Sequence, residues 1–154
     1  MQFAVLFVVA LVVSSIGFKK FVWFISLGYG FSMAAIGVAM LVMFAGKADV
    51  ASCALCVLCV FYGLRLGLFL ARRERKSAAY NKVMATQVND GSGMALPLQV
   101  VVWASCALLY VCEASPALFR MEAGTGIDGF GIAGALAALV YGIWFFLAIE
   151  GVPL

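Results

Sequence analysis

Tyr62 and Arg65 stand three residues apart, and so do Tyr110 and Glu113, in stretches that otherwise hold almost nothing polar. A three-residue step on a helix keeps two side chains on one face, so each pair would present a phenol beside a charge. Arg65 is the more informative, because it is the sole charge in an apolar run, Ala51 to Ala71, long enough to cross a bilayer. A guanidinium does not give up its proton. At membrane depth it must be paired, snorkel to the interface, or face a polar cavity, and it is by default a functional-site candidate. If the third and fourth helices pack together, Glu113 could neutralise it, and such a pair could equally do no more than fix helix packing. Depth argues against a direct pair: Glu113 is expected near the outer end of the fourth helix and Arg65 in the inner half of the third. Glu150 is the remaining acidic residue expected within the membrane.

Other chemistries find little support. The chain has no histidine, which removes the usual general base and the usual metal ligand, and its acidic residues are scattered singly. No metal site is expected. Cys53, Cys56 and Cys59 recur every three residues, with Cys106 and Cys112 farther on. Cys53 to Cys56 has the spacing of thiol oxidoreductases, including membrane enzymes that pass electrons to quinone. No polarising neighbour adjoins either thiol, and cysteine also packs as a small apolar residue between helices. The cysteines are therefore read as structural. Gly63 and Gly67 form a G-x-x-x-G that would let a second backbone, or a flat ligand, approach beside Arg65. The phosphate-cradling glycine patterns of soluble nucleotide folds are absent.

The elements that position these residues follow from composition. Of 154 residues, 66% are hydrophobic and 11% charged, with a mean hydropathy of +1.14, more than a soluble core requires. The fold class expected is all-α, a polytopic membrane bundle of five helices at about 2–18, 21–45, 51–71, 97–117 and 130–154 in a single transmembrane domain. Open strands would leave backbone groups unpaired in lipid, and no alternating pattern of a barrel is present. The first segment lacks a basic leader region and a small-residue cleavage site, so it reads as a retained span. Lysine and arginine number two in the first loop, one in the second, five in the third and one in the fourth. Loops one and three are then cytoplasmic, with the N-terminus outside and the C-terminus inside. The basic run Arg72, Arg73, Arg75 and Lys76 meets anionic headgroups at that edge, and no nucleic-acid partner is expected. Asn89 to Gly93 reads as the turn-rich tip of the third loop. The lipid bilayer is the partner implied, and oligomers are left open.

A resemblance now enters. Gly17-Phe-Lys-Lys-Phe-Val-Trp-Phe-Ile-Ser-Leu-Gly-Tyr-Gly30, Tyr62-Gly-Leu-Arg-Leu-Gly67, Arg73-Glu74 and Lys76-Ser77-Ala-Ala-Tyr80 resemble the amino-terminal half of the DUF1295 group, relatives of the steroid 5-alpha-reductase C-terminal domain. It covers about positions 1–120. What the resemblance implies is a bacterial cytoplasmic-membrane oxidoreductase that uses NADPH to saturate the carbon–carbon bond of a hydrophobic enone. Tyr62, Tyr110 and Glu113 are then the catalytic candidates, a tyrosine with a carboxylate to support it. Arg65, Arg72, Arg73 and Lys76 are the cofactor-binding candidates. The family's carboxy-terminal half carries an Asn-Tyr-x-Gly-Glu type motif that this chain lacks, so the chain alone is not expected to be a competent enzyme. Its last residues, Tyr141 to Leu154, are instead similar to a helix of amino-acid and ethanolamine permeases, and a truncated or chimeric chain is expected. A small transporter or permease fragment, with Arg65, Glu113 and Glu150 as pathway residues, is the rival reading.

Overall fold

The computed structural model describes residues 1–77, 82, 93–124 and 126–150, the side chains of Ile149 and Glu150 excepted. Asn89 to Ser92, Tyr80 and the Glu150 side chain thus lie outside the described residues. Among the described residues five α-helices are laid out in full: α1 (Gln2–Ser14), α2 (Leu27–Met43), α3 (Val50–Lys76), α4 (Leu96–Ala123) and α5 (Gly129–Glu150). The first two are joined by 3-10 turns at Ser15–Phe18 and Phe21–Phe24. Among the described residues four helical stretches are long and apolar enough to span a bilayer, and Gln2–Phe18 is a shorter apolar one. Valines, leucines and phenylalanines cover the outside, Val8, Val12, Phe61, Leu68, Leu109 and Leu147 among them. Such a surface belongs in hydrocarbon. The protein is an all-helical integral membrane protein.

Several helix boundaries differ from expectation, α1 giving way to a 3-10 turn after Ser14 among them, and three have a local reason. The second helix starts at Leu27 and not at Phe21. A continuous helix would give the Phe24 carbonyl to residue 28, but here it accepts the buried Tyr110 hydroxyl. The third helix continues to Lys76, carrying its basic residues in the last turn, where they oppose the helix dipole. The fourth continues to Ala123 although Pro116 lies inside it. Proline removes the amide that would pair with the Cys112 carbonyl, and the Ser115 hydroxyl donates to that carbonyl instead, at 2.7 Å. Gly124, at φ +58°, ends the helix in the left-handed conformation.

The centre of the bundle is the contact of α2 with α3. Gly30 lies against Gly63 and Gly67: a β-carbon on Gly30 would come within 2.8 Å of the Gly67 nitrogen and 3.0 Å of the Gly63 carbonyl oxygen. Gly37 is as close to Cys56 and Val60 one level along. The G-x-x-x-G of α3 is thus filled by another backbone. Leu6 and Ala10 of α1, Met33, Ile36 and Met40 of α2, and Ala107, Val111 and Leu118 of α4 close the core around it. The Trp103 indole N–H donates to the Leu11 carbonyl at 3.0 Å, fixing α4 on α1.

The two bundle edges are chemically distinct. At one, Lys20 in the first connection pairs with Glu74 near the end of α3 at 2.5 Å, so the first loop and the start of the third share an edge. At the opposite edge Asp49 caps α3, accepting from the Ser52 amide at 3.2 Å and hydroxyl at 2.6 Å. Asp128 does the same for α5 through the Gly131 amide at 2.7 Å. Arg120 joins the two, 2.7 Å from Asp128 and 3.5 Å from Asp49, with its other bond to the Gly126 carbonyl.

Those caps make a pH prediction. Hydrogen bonds from Ser52 hold the Asp49 carboxyl below its usual range, and the Gly131 amide followed by Arg120 does so for Asp128. A carboxylate depressed on folding stabilises the fold above its unfolded pKa, about 4, and loses that contribution as pH falls through the folded value. Amide exchange at Ser52 and Gly131, corrected for intrinsic rate, should therefore be constant from neutral pH to about 4 and accelerate below it. Asp49→Ala should speed exchange at Ser52 at every pH and cost about 1 kcal/mol.

Candidate functional site

A cavity of about 680 Å³ lies among α2, α3, α4 and α5. Most of its wall is apolar: Met33, Leu55, Leu58, Phe145 and Phe146, for example. Its polar groups are Tyr29 from α2, Cys59, Tyr62 and Arg65 from α3, Glu113 from α4 and Tyr141 from α5. Few polar groups converging in an apolar hollow is the usual construction of a small-molecule site.

The polar groups touch in sequence. The Tyr29 hydroxyl donates to Glu113 Oε1 at 3.0 Å. The Tyr29 ring packs edge-on against that of Tyr62, centroids 6.4 Å apart, and the two phenols interact. Tyr62 packs in turn on Phe145 at 4.9 Å, and the Arg65 guanidinium lies over the Phe146 ring, 4.0 Å from its centroid. An aromatic face satisfies a planar cation where water is scarce.

Tyr62, Arg65 and Glu113 are thus brought together, as candidates drawn from sequence alone. Glu113 reaches the others because α4 runs on to Ala123, which places this carboxylate ten residues from the helix end. Tyr110 stands apart: it is 3% exposed, its hydroxyl is taken by Phe24, and its ring packs on Tyr29 at 5.3 Å from behind. Arg72, Arg73 and Lys76 do not line the cavity. They occupy the end of α3, Arg72 and Lys76 exposed and Arg73 half-buried, beginning about 10 Å along the helix from Arg65.

Tyr29 was not among the candidates. Its signal was its place between Gly28 and Gly30, since glycines on both sides draw a neighbouring helix close to the residue between them. The cysteines are free thiols. Cys56 is fully buried with its sulfur 3.8 Å from that of Met121, while Cys59 faces the cavity. No group of three or more His, Cys, Asp or Glu side chains that could hold a metal ion occurs among the described residues.

Fold and site together define a polytopic helical membrane protein with a largely apolar cavity into which a few polar side chains converge. A family model described as "Protein of unknown function (DUF1295)" matches residues 6–150, and the chain belongs to that family. The match extends past position 120 through α5 to residue 150, so the DUF1295 likeness also takes in most of the stretch for which a permease helix was the expectation. Neither the search of curated proteins nor that of solved structures returned a match.

Proposed function

We propose that the chain forms the intramembrane site of an NADPH-dependent reductase acting on a hydrophobic enone. The observation that carries this reading is the meeting of Tyr29, Tyr62, Arg65 and Glu113 in one apolar cavity. Tyr62 would donate a hydrogen bond to the enone oxygen, where negative charge grows as the bond is reduced. Glu113 holds Tyr29 in place by accepting its proton-bearing hydroxyl. The apolar wall excludes water and so strengthens each of these bonds. NADPH, when bound, supplies the hydride to the β-carbon.

The cofactor's phosphates have suitable partners on the same helix as Tyr62. Arg72 and Lys76, exposed, and Arg73, half-buried, make a cationic rim, and guanidinium groups pair with phosphate oxygens in a bidentate manner. That rim shares its edge with Lys20, which supports a cytoplasmic orientation for it, in a bacterial inner membrane.

The test uses the full chain in lipid nanodiscs. NADPH should bind saturably, weaken with salt, and lose roughly tenfold or more in affinity in the R72A/R73A/K76A variant. In a DUF1295 relative that also carries the Asn-Tyr-x-Gly-Glu type motif, a long-chain enone should be consumed with oxidation of the nucleotide. Absence of both binding and consumption would overturn the reading, and solute flux in proteoliposomes without nucleotide consumption would replace it with the transporter.

A further inference from the structure

The cavity's walls are unequal. α4 and α5 meet at the edge opposite the basic one, where Arg120 lies against Gly131. Glu113 is seven residues inward from Arg120 on α4, and Ala138 is seven residues inward from Gly131 on α5, so the two stand at one depth. Both line the cavity. Yet at this depth Glu113 is exposed, and the helix that α5 packs against is α3. The two helices therefore diverge from their shared edge, leaving an opening between them.

The rim of that opening is hydrocarbon-like. Leu109, one turn from Glu113 on the same face, is 61% exposed, and Leu136 and Leu139 on α5 are 57% and 44% exposed. An aqueous mouth would not be lined this way. Nor would a carboxylate stand uncovered in the middle of an apolar helix without a polar group coming to that depth, because ionisable groups inside a bilayer face polar partners or cavities. The phenols of Tyr29 and Tyr62 lie just within, and the apolar face of α5 from Ala138 to Leu147 forms the far wall.

We propose that the cavity is loaded sideways from the bilayer, through the gap between α4 and α5, by an amphiphile with a neutral oxygen head and an aliphatic chain. The head stops at Tyr29, Tyr62 and Glu113. The chain lies along α5 and trails into lipid. This concerns the cavity alone and holds whether or not the chain reduces what it binds.

The probe is a long-chain alcohol carrying a photoreactive diazirine partway along its chain, dissolved in liposomes that hold the full chain. On illumination it should attach to residues lining the cavity, on the α3 and α5 peptides that include Tyr62 and Phe145. A gate is then added by the pair L109C and G142C, eleven residues inward from Arg120 and Gly131 respectively, with the native cysteines replaced by alanine. Bridging the pair with a reducible bis-thiol reagent should lower cavity labelling by roughly tenfold or more, and reduction of the bridge should restore it. The reduced protein is its own folding control. Cavity labelling unchanged by the bridge, or labelling spread evenly over the outward-facing side chains, would overturn the proposal. Neither outcome touches nucleotide binding, so the reductase reading stands or falls separately.

Discussion

In a DUF1295 relative that also carries the Asn-Tyr-x-Gly-Glu type motif, the change that matches Tyr62→Phe should lower enone turnover by roughly 10²–10³-fold while leaving ligand binding nearly unchanged, because the hydrogen bond it removes strengthens only as charge builds on the substrate oxygen. The ring's packing on Phe145 and Tyr29 needs no hydroxyl, so the cavity keeps its shape. Glu113→Gln removes the charge but keeps an acceptor for Tyr29, and should cost less. Tyr110→Phe should have no comparable effect on turnover and should instead destabilise the fold, since its hydroxyl serves the Phe24 carbonyl. Comparing kcat with KM in the three variants checks the assignment. Equal losses in Tyr62→Phe and Tyr110→Phe would show that both act through packing.

Gly63→Leu should do the greatest structural damage of any single change. A β-carbon there would stand 2.6 Å from the Ala34 nitrogen and press on the Gly30 carbonyl, so α2 and α3 must part. Neither obstacle is a side chain that can turn aside. A cost of about 3 kcal/mol, the upper end for overpacking, is expected. Separation also moves Tyr29 from Tyr62 and opens the cavity. Unfolding in mixed detergent should begin at markedly lower denaturant, with ligand capture lost in parallel. Gly134→Leu is the contrast, because a β-carbon there meets nothing within 4 Å.

The spans and the polar cluster were legible because charge and hydroxyl stand out against hydrocarbon-soluble sequence. Arg65, Tyr62 and Glu113 needed only that contrast. Tyr29 did not stand out: in a segment rich in aromatic residues a phenol looks like an interface anchor, and only the close approach at Gly30 shows it turned inward. Tyr110 misled for a geometric reason. Three residues along a helix is still about 60° around it, enough to turn the phenol from the cavity toward α2. Glu113 lies deeper than expected because the fourth helix, expected to end at about 117, runs on to Ala123. The Ser115 hydroxyl repairs the bond that proline breaks, the helix runs on, and the carboxylate falls to the level of Tyr29.

The Arg120 junction has a meaning in time as well as in space. Its bond to Asp128 spans eight residues, so the turn joining α4 to α5 closes locally as soon as both are made. Its contact with Asp49 encloses all of α3 and most of α4, a far longer loop that costs more chain entropy to close. The Asp128 bond is thus the more local of the two, and the Asp49 contact tethers the turn between α4 and α5 to the start of α3. One guanidinium at the bundle's edge holds three helices to a common level there.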